Sequence, residues 1–224
     1  MHDSVTLLQH DLDILNKEYL HMHPEERLAA VFQDFDNVLI TSSFGSTSLI
    51  LLDMLAKVRP GHPVWFINTG FHFEQTLRYK ELIAERLNLQ IEELKPEKWR
   101  QELTATEKMW ESHPDLCCSV NKVEPLEEAK AKHDVWISGL MGWQASTREK
   151  KAVFEQTDSI LKFHPIIDMP AAEVRNRIKN TGIPQHPLLA RGYASIGCKH
   201  CTKAGISREG RWSGKAKTEC GLHL

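Results

Sequence analysis

Five cysteines stand where their spacing carries chemistry: Cys117 and Cys118 are adjacent, Cys198 and Cys201 form a C-x-x-C, and Cys220 sits alone close to the last residue. Four thiolates are the ligand complement of an iron–sulfur cluster or of a zinc ion. Adjacent ligands are awkward for tetrahedral zinc, whose ribbons favour two spaced pairs. Four unrelated buried thiols are the alternative, since free cysteine is often buried. In a reducing compartment, however, a C-x-x-C points to metal or redox chemistry. Cys220 reads either as an inert thiol near a frayed chain end or as a nucleophile on a mobile arm.

Cations stand near these thiols in the sequence. Lys122 follows Cys118 by one helical turn, Arg208 and Arg211 precede Cys220 on its own segment, and Arg148 follows the apolar run around Trp136. Arginine is the natural fork for phosphate or sulfate oxygens, although any one of these could be an ordinary solvated charge. The Ser/Gly-rich stretch Ser42, Ser43, Phe44, Gly45, Ser46 lies between an apolar run and a helical one. A strand, such a turn and a helix start make an anion site from backbone N–H groups, hydroxyls and the helix N-terminus. A plain N-capped turn would use the same residue types. The turn has no lysine, so it is not a nucleotide-triphosphate loop. Thr69-Gly70 is a second turn that could reach the same ligand, or a simple glycine turn.

Positioning such groups needs a core, and 224 residues with 41% hydrophobic content supply one without disulfides. The apolar run at residues 37–41 and the segments 64–67, 90–94, 134–138 and 159–163 read as strands. Residues 5–33 (restarting near Pro24), 49–58, 73–87, 119–132 and 171–180 read as helices. Strands alternating with helices mean an α/β fold, a parallel sheet with helices on both faces. Ligands of such sheets commonly sit at the carboxyl ends of the strands. Residues 1–206 are expected to form one α/β domain that binds nucleotide and carries both cysteine pairs. Residues 207–224 are expected to be a flexible C-terminal tail carrying Cys220.

A formal charge of −2 gives no global attraction to nucleic acid or to an anionic membrane, so neither partner is expected. The start, Met1-His2-Asp3-Ser4, has no basic or apolar region of a signal peptide, and no apolar run approaches ~18–20 residues. A soluble, cytoplasmic chain is the expectation.

Together these segments resemble the assimilatory sulfonucleotide reductases of the iron–sulfur type, the adenylyl-sulfate (APS) reductases. The resemblance is carried by Cys117-Cys118 with Lys122-Val123-Glu124-Pro125-Leu126, by Trp136-Ile137-Ser138-Gly139, and by the run from Gly192 to Thr202 with its Ser-Ile-Gly-Cys-x-x-Cys-Thr string. Gly210-Arg211-Trp212 and the closing Glu219-Cys220-Gly221-Leu222-His223 complete it. It implies an adenosine nucleotide α-hydrolase-like fold and one [4Fe–4S] cluster per chain on Cys117, Cys118, Cys198 and Cys201. It implies Cys220 as the nucleophile that takes the sulfonate from APS, and thioredoxin or a glutaredoxin-like donor as the reductant that releases sulfite. Lys122 would link cluster and substrate. Arg148, Arg208, Arg211, His223, the turn 42–46 and Thr69-Gly70 would contact the substrate. A homo-oligomer is the family's usual state.

Three departures bear on the substrate. Asn68 stands where the family commonly has Asp, Asn121 where it has Arg, and Met141-Gly142-Trp143 where it has a basic run. The 3′-phosphorylated substrate PAPS, or both substrates, is therefore the first alternative. A non-catalytic iron–sulfur redox sensor is the second, opposed by the intact terminal motif. ATP-dependent thiolation is not expected, because Phe44, Ser46 and Thr47 fill the interior of what would be the pyrophosphate loop.

Overall fold

The structure, a computed structural model, describes residues 9–157, 159–215, 217 and 219–223; the expected helical residues 5–8 lie outside them. Among the described residues six strands form: β1 (Val38–Ile40), β2 (Val64–Ile67), β3 (Ile91–Leu94), β4 (Val135–Ile137), β5 (Phe154–Gln156) and β6 (Leu161–Phe163). β1, β4 and β6 pair in parallel, and β5 closes that edge antiparallel to β6. β2 and β3 pair in parallel beside them. The Thr41–Trp65 bridge, with Ser42 N–H donating to the Trp65 carbonyl at 3.0 Å, joins the two sets. The spatial order is thus β3-β2-β1-β4-β6-β5.

Alternation along each strand shows that both faces are covered. Val38, Ile40, Val64, Phe66, Val135 and Ile137 share one core with residues of α1 (Gln9–Leu20), α2 (Pro24–Asp34), α3 (Leu49–Val58), α4 (Glu74–Leu87) and α9 (Ala171–Asn180). Leu39 and Trp136, one residue out of phase, share the opposite core with Leu126 and Ala129 of α8 (Glu124–Lys130). Arg27 pins α2 to the rest: its guanidinium donates to both oxygens of Asp168, at 2.6 and 2.7 Å, and to the carbonyls of Tyr19, Leu20 and Pro165.

Sequence periodicity located α2, α3, α4 and α9 and five of the six strands. β5 was missed because it is a three-residue edge strand in a polar stretch. Its exposed side is covered by Asn16, which accepts from the Phe154 N–H at 2.8 Å and donates to the Phe154 carbonyl at 3.1 Å. The expected helix at 119–132 also needs correction. The chain runs through α5 (Lys98–Thr106), α6 (Met109–Ser112) and α7 (Pro114–Cys118), then a π-helical turn (Ser119–Val123), and only then α8. Cys117 and Cys118 therefore close a short helix and do not stand ahead of one. The π turn has a local cause: Pro125 lacks the N–H that would bond four residues back, and the Glu124 N–H reaches Ser119 instead. No helix among the described residues is long and apolar enough to cross a membrane.

Candidate active site

Strand order reverses between β1 and β4, which run parallel, since β2 lies on one side of β1 and β4 on the other. Loops leaving their carboxyl ends consequently diverge and open a crevice. The turn 42–48 leaves β1, residues 138–148 leave β4, and Gln144 Nε2 donates to Thr47 Oγ1 across them at 3.2 Å. Within the turn, Ser42 Oγ accepts from the Phe44 N–H at 3.2 Å and Ser48 Oγ from the Gly45 N–H at 3.0 Å. Ser46 Oγ donates to the Ala194 carbonyl at 2.9 Å, which ties the turn to the loop before Cys198. Phe44 has the left-handed φ of 48° and is fully buried against Phe66. Its side chain belongs to the core, so a ligand meets it only through its backbone.

The four paired-motif cysteines line one cavity with Phe71, Trp110, Asn121, Lys122 and His200. All four are free thiols. Trp110 and His200 stack over it at 3.9 Å, with Phe71 edge-on to Trp110. Lys122 is buried among the sulfurs. Burial opposes its charge, yet Cys198, Cys220 and Cys118 outweigh burial and raise it above the ordinary lysine range. Burial, with the neighbouring sulfurs, pushes the Cys117 thiol up to about 12. Burial also pushes Cys198 upward, but Lys122, the Thr69 hydroxyl and Arg211 hold it below the ordinary thiol range. No three His, Cys, Asp or Glu side chains among the described residues converge closely enough to hold a single metal ion. Four sulfurs around one walled cavity fit a polynuclear cluster better, because each thiolate there goes to a different iron.

Thr69 and Gly70 take a place the sequence did not indicate. Thr69 Oγ1 accepts from the Phe71 N–H at 3.1 Å and lies 3.4 Å from Cys198 Sγ, so its own proton is available to the sulfur. Gly70 has φ 75°, and Gln101 crosses it to donate to the Thr69 carbonyl at 2.8 Å. Thr69 thus faces the sulfur cavity.

The closing segment is docked over the same region. Glu219 is buried and accepts from Arg148 Nε and Nη2 at 3.0 and 3.1 Å and from Arg208 Nη2 at 2.9 Å. Gly221 turns at φ 93° against Val123. His223 stacks on Trp136 at 5.0 Å with rings 4° from parallel, and its buried Nδ1 has no partner among the described residues. Trp136 is itself held by its Nε1 donating to Thr41 Oγ1 at 2.8 Å, with Lys130 Nζ 4.5 Å from its ring centroid. Cys220 is half-buried, near enough to Lys122, Arg208 and Cys118 for their charges to act on one another. Arg211 lies over Trp212 at 4.5 Å and donates to the Ile196 carbonyl at 3.3 Å; its buried Nε is unpartnered among the described residues.

All five cysteines, Lys122, Arg208 and Arg211 are therefore brought together, with Arg148 tied in through Glu219. Glu219, Gln144, the Trp110–His200 stack and Thr104 escaped the sequence reading as site residues. Only Glu219 carried a signal, an acid flanking the lone cysteine on a segment rich in cations. The three departures each have a local partner. Asn68 donates to Glu93 at 3.0 Å, where an aspartate would repel. Asn121 is buried and donates to the Cys117 carbonyl at 2.9 Å and to Thr104 at 3.0 Å. Met141 is core, and Trp143 donates to the Met169 carbonyl at 3.1 Å.

A family model described as phosphoadenosine phosphosulfate reductase domain matches residues 37–204. The chain is 37% identical to a phosphoadenosine 5′-phosphosulfate reductase of Gloeobacter violaceus, over 96% of this chain and 94% of that one. It is 36% identical to an adenosine 5′-phosphosulfate reductase of Mesorhizobium japonicum, over 99% and 89%. The crystal structure of phosphoadenylyl-sulfate (PAPS) reductase from Candida auris, a phosphate complex, superposes with a TM-score of 0.77 at 30% identity, over 89% of this chain and 100% of that one.

Proposed function

The chain belongs to the phosphoadenosine phosphosulfate reductase family, and we propose that it reduces APS to sulfite and AMP, with Cys220 as nucleophile and a thioredoxin or glutaredoxin-like dithiol as reductant. The observation that carries this is that half-buried Cys220 lies close enough to both Lys122 and Arg208 for their charges to act on one another. The Cys220 thiolate attacks the sulfonate sulfur, an S–S bond forms, and the sulfur–oxygen bond to the phosphate breaks. AMP leaves with that electron pair. One thiolate of the donor then attacks Cys220 Sγ and expels sulfite, and the second thiol closes the donor disulfide and returns Cys220 to the thiol.

Each group of the chain has a task in this scheme. Lys122 and Arg211 face the sulfur side with cationic donors for the sulfonate and phosphate oxygens, and the crevice at 42–48 receives the adenosine end. The His223–Trp136 stack closes over the site and excludes water. Cys117, Cys118, Cys198 and Cys201 would hold the [4Fe–4S] cluster, which when bound supplies a fixed charge beside Lys122. The second exchange needs an exposed sulfur, so the half-buried segment must undock for the donor to reach Cys220. Action in the cytoplasm and as a homo-oligomer belongs to the same proposal.

PAPS is the second reading, favoured by the printed names of the Gloeobacter relative and the Candida structure. The four-cysteine cavity supports APS, since PAPS-specific members of the family generally lack those cysteines. The test is sulfite release from anaerobically purified protein with reduced thioredoxin, APS and PAPS supplied in parallel. Release from APS, abolished in Cys220→Ser with the visible absorption retained, is expected. Absence of release from both substrates would overturn the proposal in favour of a sensor.

A further inference from the structure

The Arg148 guanidinium is fully engaged on the edge that would grip an oxyanion. Its Nε and Nη2 both donate to Glu219, and Nη1 donates to Gln144 Oε1 at 2.7 Å. Arg208 joins the same carboxylate from another element, a short 3₁₀ turn at Arg208–Gly210. Glu219 immediately precedes Cys220, so the two arginines act one residue from the nucleophile. On its other side Cys220 is fixed by the Gly221 turn against Val123, by Leu222 in the core around Trp136, and by His223 stacked on that indole.

We propose that Glu219 is a positioning residue, whose carboxylate seats Cys220 by docking on the Arg148–Arg208 pair, so that Arg148 serves the reaction through the chain's own tail. This rests on the proposed nucleophilic role of Cys220. The physical case is one of charge and burial. Two guanidinium groups brought together repel, and burial with the nearby Arg148 lowers Arg208 to about 10 while Glu219 opposes that fall. A buried carboxylate between two cations is over-determined, because removing it leaves like charges facing each other. The contact is ionic and forked, so it fixes direction as well as distance. The apolar contacts of Leu222 and the ring stack of His223 lack that angular constraint. Undocking for the reductant breaks this ionic contact and exposes Cys220.

Glu219→Gln, which keeps the side-chain shape, tests the inference by two independent readouts. In substrate-free protein, alkylation of Cys220 by iodoacetamide should accelerate several-fold, a result that needs no turnover and stands even if the reaction is not APS reduction. In sulfite release from APS, kcat should fall by about tenfold or more with KM within about threefold, the loss expected of charge-assisted hydrogen bonds. Glu219→Asp should recover part of kcat. Arg148→Ala and the Arg148→Ala/Glu219→Gln pair should show the same kcat defect as Glu219→Gln, not its product. Unchanged alkylation would overturn the inference. So would a lowered KM at constant kcat, the mark of a carboxylate that merely competes with substrate, or multiplying effects in the double variant. Wild-type protein that alkylates as expected but releases no sulfite would refute the proposed reaction and leave the docking role standing.

Discussion

Gly197→Ala should disable the site through one arginine. A Cβ at Gly197 would lie 2.3, 2.4 and 2.8 Å from Nη2, Cζ and Nη1 of Arg211. Gly197 is not among the positive-φ glycines, so alanine suits its backbone. The obstacle is the far end of a flexible side chain, so the guanidinium swings away and the loop stays. Stability then loses the 3.3 Å bond to the Ile196 carbonyl, ~1 kcal/mol. It also loses the contact over Trp212, ~0.5–1 kcal/mol. Together these lower Tm by about 3–8 °C. On the proposed role of Arg211, the reaction loses a charge-assisted hydrogen bond to the substrate oxyanion, about 1.5–3 kcal/mol, hence ~10- to 150-fold in kcat/KM. The assay is sulfite release by wild type, Gly197→Ala, Arg211→Ala and the double variant. If alanine acts through Arg211, the double variant matches Arg211→Ala within about twofold. Full turnover by Gly197→Ala, or a double variant far worse than Arg211→Ala, would refute the reasoning.

Other expectations follow from single contacts. Arg27→Met strands the Tyr19, Leu20 and Pro165 carbonyls and frees the part-exposed Asp168 to water, and should cost about 2–3 kcal/mol in a urea melt; a loss under ~1 kcal/mol would contradict the anchoring role. Stability should fall with acid in two stages. Burial lowers His72 and His186 to about 4, so their contribution is present above about pH 6.5 and drains away toward pH 4. Burial pushes Glu93 up, but Lys80, Lys95 and Asn68 outweigh it and hold it at about 2. Its contribution is thus lost between about pH 4.5 and 2, and Glu93→Gln should flatten that limb of a melt series. If the proposed cluster is bound, Thr69→Val, which removes the hydroxyl beside Cys198 Sγ, should speed bleaching of its ~400 nm band under an iron chelator, whereas bleaching at the wild-type rate would show the 3.4 Å contact to be idle.

Much of the fold was legible because its signals are local. β1, β2 and β4 are short apolar runs, and α9 carries its stop signal in Gly182 and Pro184. β5 was not legible, since an edge strand of three residues is decided by its partner β6 and by Asn16 across the gap. The helix around the cysteine pair was legible as a helix but displaced, because Pro114 sets its start and Pro125 forces the π turn, and periodicity sees neither.

Residue chemistry alone determined that four cysteines and a fifth form separate sets and that cations accompany them; that the reaction is one of sulfur came with the resemblance of those segments to the sulfonucleotide reductases. The first two follow from residue type and short spacing, which need no three-dimensional information. Tertiary structure alone decided which partner each group takes. Thr69 serves Cys198, Asn121 replaces a charge with bonds to Thr104 and Cys117, and Arg148 spends its fork on Glu219. Arg148 and Glu219 lie 71 residues apart in the chain. Contacts at that separation are set by how the loops leaving β1 and β4 diverge and by the burial that makes each polar group find a partner, neither of which is written in local sequence.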